Sequence, residues 1–356
     1  MNTSTLPVRQ GAQTLFLSAT DAAQLVRSEG IAPVLQGMLN AIHADFLRWH
    51  DFQKCARLAH HSSDGVIELM PVSNAHTYAF KYVNGHPTNH RHQLPTVMAF
   101  GVLADVATGL PVFLCELTLT TALRTAATSA MAARTLARTD SHTMALIGNG
   151  AQAEFQALAF HHVLGIQHLR LFDTDPAATH KLQNNLAHTA LTLTPCSSIA
   201  ECIKGADIVT TLTANKLQAS ILLKDALTPG MHINAVGGDG PGKTELHPDV
   251  LHASKVFVEY EPQTRVEGDL QHLPADFVVT ELWQVLQDPT RGRQSDADIT
   301  LFDSVGFALE DFSALRYLHQ LAQKHTAGQW VDLVPTLPNP KDLFSLIRPQ
   351  TPNQGA

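Results

Sequence analysis

Two periodicities divide this chain. A strand at Thr14–Leu17 and a helix start at Ser18–Asp21 come first, and apolar residues at 31, 34, 35, 38, 42, 46 and 47 then predict one amphipathic helix over 31–52. Runs rich in β-formers follow at 54–60, 66–70, 78–83, 96–105 and 111–117, separated by Ser63-Asp-Gly65, Asn84-Gly85 and Thr108-Gly109 turns, which predicts a mostly antiparallel sheet. An alanine-rich helix over 118–137 bridges into the second half. There, strands predicted at 144–147, 168–172, 191–194, 208–213, 232–236, 256–259 and 300–305 alternate with helical segments, the pattern of a doubly wound parallel sheet. A Ser198/Glu201 capping box, a helix over 308–323 and a returning segment over 330–346 complete the pattern. The expected fold class is α/β: a Rossmann-type doubly wound parallel domain over 131–324 and an α+β domain over 1–130, to which 325–356 returns.

The stretch Met144–Ala153 is the most informative. An apolar strand ends in Gly148-Asn-Gly150, and apolar residues then recur at Ala151, Phe155, Leu158, Ala159 and Val163 with helical spacing. Strand, glycine turn and helix make a dinucleotide site: Gly148 allows the turn, Gly150 lets the main chain approach a pyrophosphate, and Ala153 is small enough for helix–strand packing. The helix N-terminus offers free N–H groups to phosphate. A second predicted strand ends at Asp173, near the separation of roughly 20 residues at which an acid holds the adenosine ribose hydroxyls. A carboxylate there repels a 2′-phosphate, so NAD is favoured over NADP.

At 356 residues the chain exceeds the size at which a single core stops growing, about 250–300 residues, which supports two domains. Lys plus Arg of 24 against Asp plus Glu of 32 gives −8, which argues against non-specific nucleic-acid or anionic-membrane binding. Four cysteines, Cys55, Cys115, Cys196 and Cys202, lack CxxC or zinc spacing and read as free thiols of a reducing compartment. Residues 1–14 lack a targeting pattern and no stretch has membrane-helix length, so a soluble cytoplasmic protein is expected. The tail from Arg348 looks loose. Twenty histidines include no HExxH pair, and no metal is expected.

Hydride chemistry on such a fold takes place at the carboxyl ends of the parallel strands, facing the other domain. Thr213 ends one predicted strand, and His232-Ile-Asn-Ala235 leads into Gly237-Gly-Asp-Gly-Pro-Gly242 at the end of the next. Asp239, between glycines, is either a general base for an amine or an aspartate stabilising its own turn. Lys243 reads as a solvated charge. Ser304 either caps the following helix or touches the nicotinamide, with capping preferred. In the first domain Arg57, Lys81 and Arg124 stand in apolar surroundings. Singly each points to solvent. Together they suit an anionic substrate, since Arg binds a carboxylate through two parallel bonds and Lys adds a point charge. Glu68 answers a substrate ammonium or lies on an exposed strand face.

Several segments together resemble the ornithine cyclodeaminase and mu-crystallin family: 62–71 (SSDGVIELMP), 80–87 (FKYVNGHP), 96–105 (TVMAFGVLAD), 121–128 (TALRTAAT), 147–152 (IGNGAQ), 234–239 (NAVGGD) and 303–307 (DSVGF). They run in order over nearly the whole chain. The resemblance implies a homodimer whose first domain binds substrate and makes the dimer contact while the second binds NAD. It implies that Arg57, Lys81 and Arg124 hold the carboxylate of L-ornithine, that Glu68 is a further substrate contact and that Val305 lines the pocket. Thr96, Arg124, Ala151, Gln152, Asp173, Thr213, His232, Ile233, Asn234, Ala235, Lys243 and Ser304 would contact NAD, and Asp239 would be the acid/base. The activity it implies is cyclising deamination of ornithine to proline. A dehydrogenase or ketimine reductase of the same family, and a non-catalytic nucleotide-binding protein, are the alternatives.

Overall fold

The computed structural model describes residues 12–214 and 218–349. The expectations for residues 1–11 and for most of the tail beyond Arg348 lie outside the described residues. The chain opens with β1 (Thr14–Leu17), α1 (Ala19–Glu29) and α2 (Ile31–Leu47). Ser18 caps α1, accepting Asp21 N–H while the Asp21 carboxylate takes Ser18 N–H, a reciprocal box that satisfies two otherwise orphaned donors. The helix predicted over 31–52 ends at Leu47. Trp49 and Phe52 continue its apolar pattern because they enter a buried aromatic cluster, in which Trp49 stacks on Trp283 at 6.0 Å and packs on Tyr260 and Phe307. Burial without helical geometry misled the periodicity.

The sheet of the first half contains β2 (Gln53–Lys54), β3 (Leu58–His61), β4 (Val66–Ser73), β5 (Thr77–Gly85), β6 (Val97–Asp105) and β7 (Pro111–Glu116). Its path runs from β1 through β7, β6, β5 and β4 to β2, with β3 also on β4; only the β1–β7 pair in it is parallel. The strand predicted over 54–60 is split at 55–57, where the Arg57 amide leaves the ladder and donates to the Gln263 side chain. Alternation sorts this sheet into an inward face of Glu68, Met70, Ala79, Lys81 and Leu103 and an outward one of Ile67, Leu69, Tyr78 and Phe100.

After α3 (Thr118–Leu136) come β8 (Thr143–Ile147), α4 (Ala153–Leu164), β9 (His168–Phe172), α5 (Pro176–Leu186), β10 (Thr192–Pro195), α6 (Ile199–Ile203), β11 (Ile208–Thr211), β12 (Gln218–Leu222) and β13 (His232–Ala235). Then follow β14 (Thr244–Leu246), α7 (Pro248–His252), β15 (Lys255–Val258), α8 (Glu261–Glu267), β16 (Thr280–Glu281), α9 (Leu282–Gln287), β17 (Thr300–Asp303), α10 (Ala308–His325) and β18 (Gln329–Val331). Among the described residues, eight of these strands form one parallel sheet in the order β10-β9-β8-β11-β13-β17-β15-β16. The order reverses between β8 and β11, so a crevice opens at their carboxyl ends. β12 and β14 pair separately, and the sequence pattern predicted neither.

Two strand ends fall short of prediction, at Thr211 rather than 213 and at Asp303 rather than 305. Beyond both, amide groups turn to buried carboxylates instead of a neighbouring strand: Thr213 N–H to Glu245, and Val305 and Gly306 N–H to Glu259. The Ser198 box is half-formed: Ser198 accepts Glu201 N–H, but the Glu201 carboxylate takes Ser197 N–H. α10 follows the last parallel strand yet packs on α2, α3 and the inner face of β4–β6, and β18 then pairs antiparallel with β1. Buried Asp45 of α2 accepts from Ser313 and Arg316 of α10, both at 2.8 Å, fastening the two helices.

Candidate active site

The site is assembled where the inward face of the first sheet meets the carboxyl edge of the parallel sheet. Arg57, in the break between β2 and β3, spans the two: its Nη2 donates to the Val305 and Gly306 carbonyls at 2.6 and 2.8 Å, and its Nη1 donates to Glu68 at 3.0 Å. Glu267, at the end of α8, faces Arg57 Nε at 3.0 Å without hydrogen-bond alignment. Lys81 of β5 meets Asp311 at 2.7 Å. Arg124 of α3 reaches Asp311 at 3.1 Å and Glu310 at 2.6 Å. Glu310 and Asp311 stand in the first turn of α10, where the helix dipole favours negative charge. Gly306 has φ +76, and a Cβ there would lie 2.9 Å from the Arg124 guanidinium, so the turn after β17 seats this arginine only with glycine.

Burial dominates the proton affinities. It lowers Lys81 to about 8, with Arg124 beside it acting in the same sense against Asp311. It raises Glu267 to about 7, and Arg57 pulls the other way without cancelling the effect. Glu310 is also pushed well above the usual carboxylate range by burial, Arg124 notwithstanding. Burial works against charge on Arg57 and Arg124, but the carboxylates around each outweigh it and raise both.

Asp239 lies in the glycine loop beyond β13, half-exposed and 2.7 Å from Lys243, and its charge acts on both Arg57 and Glu267. Lys243 is therefore an ion-pair partner whose side chain is only 14% exposed, not a solvated charge. Ser304 does not cap α10, whose cap position is Phe307; its hydroxyl donates to buried Glu259 at 2.6 Å. Glu68 is 6% exposed and faces inward, which excludes the exposed-strand alternative.

The glycine loop between β8 and α4 carries Gly148, Gly150, Ala151 and Gln152 at the reversal of strand order. A Cβ on Gly148, φ +93, would lie 2.8 Å from the Leu212 carbonyl group, so the loops after β8 and β11 touch there. Asp173, just past β9, accepts Asn149 N–H at 2.6 Å and thereby ties the loop to the second strand. Thr213 stands two residues past β11 and donates to Glu245. Asn234 and Ala235 approach the carboxyl end of β13. His232 and Ile233 do not: His232 starts the strand, level with Thr300, bonds its hydroxyl at 3.0 Å, and is held neutral by burial and Arg293 with its pKa lowered to about 3. Thr96 immediately precedes β6, its carbonyl accepting His86 N–H.

Three observations fit a dinucleotide at this edge. The Gly148–Gly150 turn admits close main-chain approach, with open space where a Gly150 Cβ would project. Asn149 Oδ1, Gln152 Oε1 and both amide atoms of Asn234 are buried without a protein partner, the condition of groups awaiting a polar ligand. Asp173 is placed by β9 where a ribose would be read. An open groove of about 410 Å³ between α4 and α5 meets this set only at Ala151.

Glu245, Glu259, Glu267, Glu310 and Asp311 were not singled out from sequence. The Glu310-Asp311 pair carried a legible signal, since both fall among Leu309, Phe312 and Leu315 in a helix buried on every side over its first two turns. The other three lie outside any motif.

The family model described as "Ornithine cyclodeaminase/mu-crystallin family" matches residues 20–326. The ornithine cyclodeaminase of Agrobacterium fabrum is 52% identical over 332 residues, covering 93% of this chain and 94% of that protein. A solved lysine cyclodeaminase, described for its recognition of L-lysine, L-ornithine and L-2,4-diamino butyric acid, superposes with a TM-score of 0.86 at 32% identity, over 90% of this chain and 95% of that one. An archaeal alanine dehydrogenase dimer with bound NAD superposes with a TM-score of 0.82 at 27% identity, over 90% of this chain and all of that one (100%).

Proposed function

The chain belongs to the ornithine cyclodeaminase/mu-crystallin family, and on that premise we propose that it converts L-ornithine to L-proline and ammonia, a carbon–nitrogen lyase that uses NAD without consuming it. The observation that carries this reading is the convergence of three buried cations and their acids beside the Asp239 loop, at the carboxyl edge of a dinucleotide-type sheet. Identity of 52% with an ornithine cyclodeaminase, against 32% with the lysine enzyme of known structure, favours ornithine as the diamino acid.

NAD, when bound, would supply reversible hydride chemistry at the substrate Cα. Gly148, Gly150, Ala151 and Gln152 would hold its phosphates, and Asp173 its ribose. Thr213, Asn234, Ala235, Lys243 and Ser304 would hold its nicotinamide side, with Thr96 completing the set and His232 and Ile233 serving through their strand. Arg57, Lys81 and Arg124 fix the ornithine carboxylate, a planar anion that two guanidinium forks match in geometry. Glu68 answers an ammonium group, and Val305 closes the pocket on its apolar side. Asp239 takes a proton from the α-ammonium, which frees the nitrogen lone pair that hydride loss requires. The anchored carboxylate leaves the substrate tail free to fold back, so attack of the δ-amine on the oxidised Cα is intramolecular and strongly favoured, and the α-nitrogen then leaves as ammonia.

Division of labour follows the two sheets: the described residues up to 130 form the substrate and dimer unit and the parallel sheet after them the NAD unit, but the return to the first unit begins with α10 at Ala308 and not at 325, because α10 packs on α2 and β4–β6. A homodimer is supported by the outward face of the first sheet, where Leu58, Ile67, Leu69, Tyr78 and Phe100 are all exposed and Phe100 stacks on Tyr82 at 5.1 Å. The alanine dehydrogenase of similar fold is itself a dimer. No helix among the described residues is long and apolar enough to cross a membrane, and a cytoplasmic location is part of this proposal.

Incubation with NAD and L-ornithine should yield proline and ammonia in equal amounts at constant total NADH, with α-deuterium retained in the proline and faster turnover than with L-lysine. Stoichiometric NADH formation would identify an amino-acid dehydrogenase instead. Asp239→Asn should bind NADH as before while ammonia release falls by roughly 10²- to 10⁴-fold.

A further inference from the structure

The buried carboxylate of Glu245 touches neither the cation cluster nor the β8–α4 loop. Glu245 is the central residue of β14, only 1% exposed. Its Oε1 accepts from Thr213 N–H and the Thr213 hydroxyl, both at 2.6 Å. Its Oε2 accepts from the Thr211 hydroxyl at 2.6 Å and from Gly237 N–H at 2.9 Å. Thr213 lies beyond the end of β11 and Gly237 beyond the end of β13, strands paired in register at Thr211 and Ala235. One more bond follows, Val236 N–H to the Thr211 carbonyl at 3.1 Å, and beyond it Thr213 and Gly237 turn to the carboxylate instead.

We propose that Glu245 is a positioning residue for the reaction, fixing the spacing between the Thr213 turn on the nicotinamide side and the glycine loop that carries Asp239. The inference rests on the function proposed above and names the residue that couples two parts of that site. A carboxyl group meets the requirement, because each oxygen accepts one main-chain N–H and faces one threonine hydroxyl, while burial raises its proton affinity above the ordinary carboxylate value. Glutamine offers one acceptor oxygen, and its NH₂ would face either Thr213 N–H or Gly237 N–H, leaving a buried donor without a partner. The residue is itself anchored: its N–H donates to Asp269 Oδ1 at 2.8 Å. Gly237 completes the fit, since a Cβ there would lie 2.1 Å from Glu245 Oε1. The carboxylate thus packs directly against the backbone of the first residue of the Asp239 loop, with no room for a side chain there.

Glu245→Gln and Gly237→Ala break the contact from opposite sides, and Thr213→Val removes one hydroxyl donor. NADH affinity, read by fluorescence, should fall roughly tenfold in Glu245→Gln, and kcat for ornithine should fall at least as much, because one buried amide loses its acceptor. KM for ornithine should stay within about twofold, since the three cations keep their partners. Gly237→Ala should lower kcat in the same way, and Thr213→Val should cost less in the Glu245→Gln background than alone. Wild-type NADH affinity and kcat in Glu245→Gln would overturn the proposal. So would losses that only track the folded fraction measured by thermal melting, or effects of Thr213→Val that add in full. If the wild-type protein forms no proline, the assigned activity fails, while the NADH titrations still decide the role of Glu245.

Discussion

Glu267 stands 3.0 Å from a guanidinium, and its carboxyl nevertheless titrates at about 7 instead of the ordinary 4.5, because burial outweighs Arg57 and because Glu68 and Asp239 add negative charge nearby. Since the folded value lies above the unfolded one, this group favours the folded state fully below about pH 4.5, and that contribution is lost as pH rises from there to about 7. Lys81 carries the opposite dependence in a different window: lowered to about 8, it opposes folding at and below that pH, and the penalty lifts as pH rises toward 10.5. Glu267→Gln should therefore flatten the fall in stability between pH 5 and 7.5 by roughly 1–3 kcal/mol, read as a smaller change in Tm over that interval. An unchanged slope would place the proton elsewhere. The sequence named Arg57, Glu68, Lys81 and Arg124 but could not tell solvent-facing charges from buried ones. Their pairing with Glu267, Glu310 and Asp311, together with the Arg57–Gly306 contact between positions 249 apart, joins the two halves of the chain.

The strand, turn and helix formed by β8, the Gly148–Gln152 loop and α4 contain two glycines with different physical duties. Gly148 holds φ +93 and has the Leu212 carbonyl group 2.8 Å from where a Cβ would sit, so Gly148→Ala is strained in both backbone and packing. It should cost roughly 1–3 kcal/mol in denaturant unfolding and also weaken NADH binding. Gly150 has open space around it. Gly150→Ala should leave stability within about 0.5 kcal/mol of wild type and yet weaken NADH binding, because the added methyl occupies the approach of the phosphates. Equal losses of stability in both variants would contradict this separation. At this scale the chain was largely legible: β9 falls at the predicted residues and β8 and β13 within one. β4 and β5 run on past their predicted ends to Ser73 and Gly85, and of the ends that fell short, those at Leu47, Thr211 and Asp303 lie where a tertiary partner takes over the next backbone or apolar group.

Taken whole, the molecule has one sheet with both faces covered and another with a bare apolar side. The inner face of the first sheet is sealed by α10, which brings Glu310 and Asp311 to Lys81 and Arg124. Its outer face exposes Leu69 at 43%, Phe100 at 42% and Leu58 at 65%, a patch suited to a second copy. Sedimentation should give a dimer for the wild type and a monomer for Phe100→Asp with unchanged far-UV circular dichroism. A charge at the centre of a dry interface leaves an unpaired ion that a stable contact of about 1,000 Å² or more does not tolerate. A wild-type monomer, or an unaffected variant dimer, would remove the proposed interface.

Local chemistry settled in sequence whatever depends on near neighbours along the chain: the Gly148-Asn-Gly150 turn, the alternation of side chains along each strand of the first sheet, and the α/β pattern of the second half. Side-chain spacing within a strand or helix is set by backbone periodicity, and the sequence carries that directly. The folded chain alone decided which acid meets which cation, that Lys243 pairs with Asp239, and that Glu245 holds the ends of β11 and β13 together. Those contacts depend on strand order and on the return of α10 to the first sheet, and the proton affinities that follow from them depend on burial, which no residue possesses before the chain has folded.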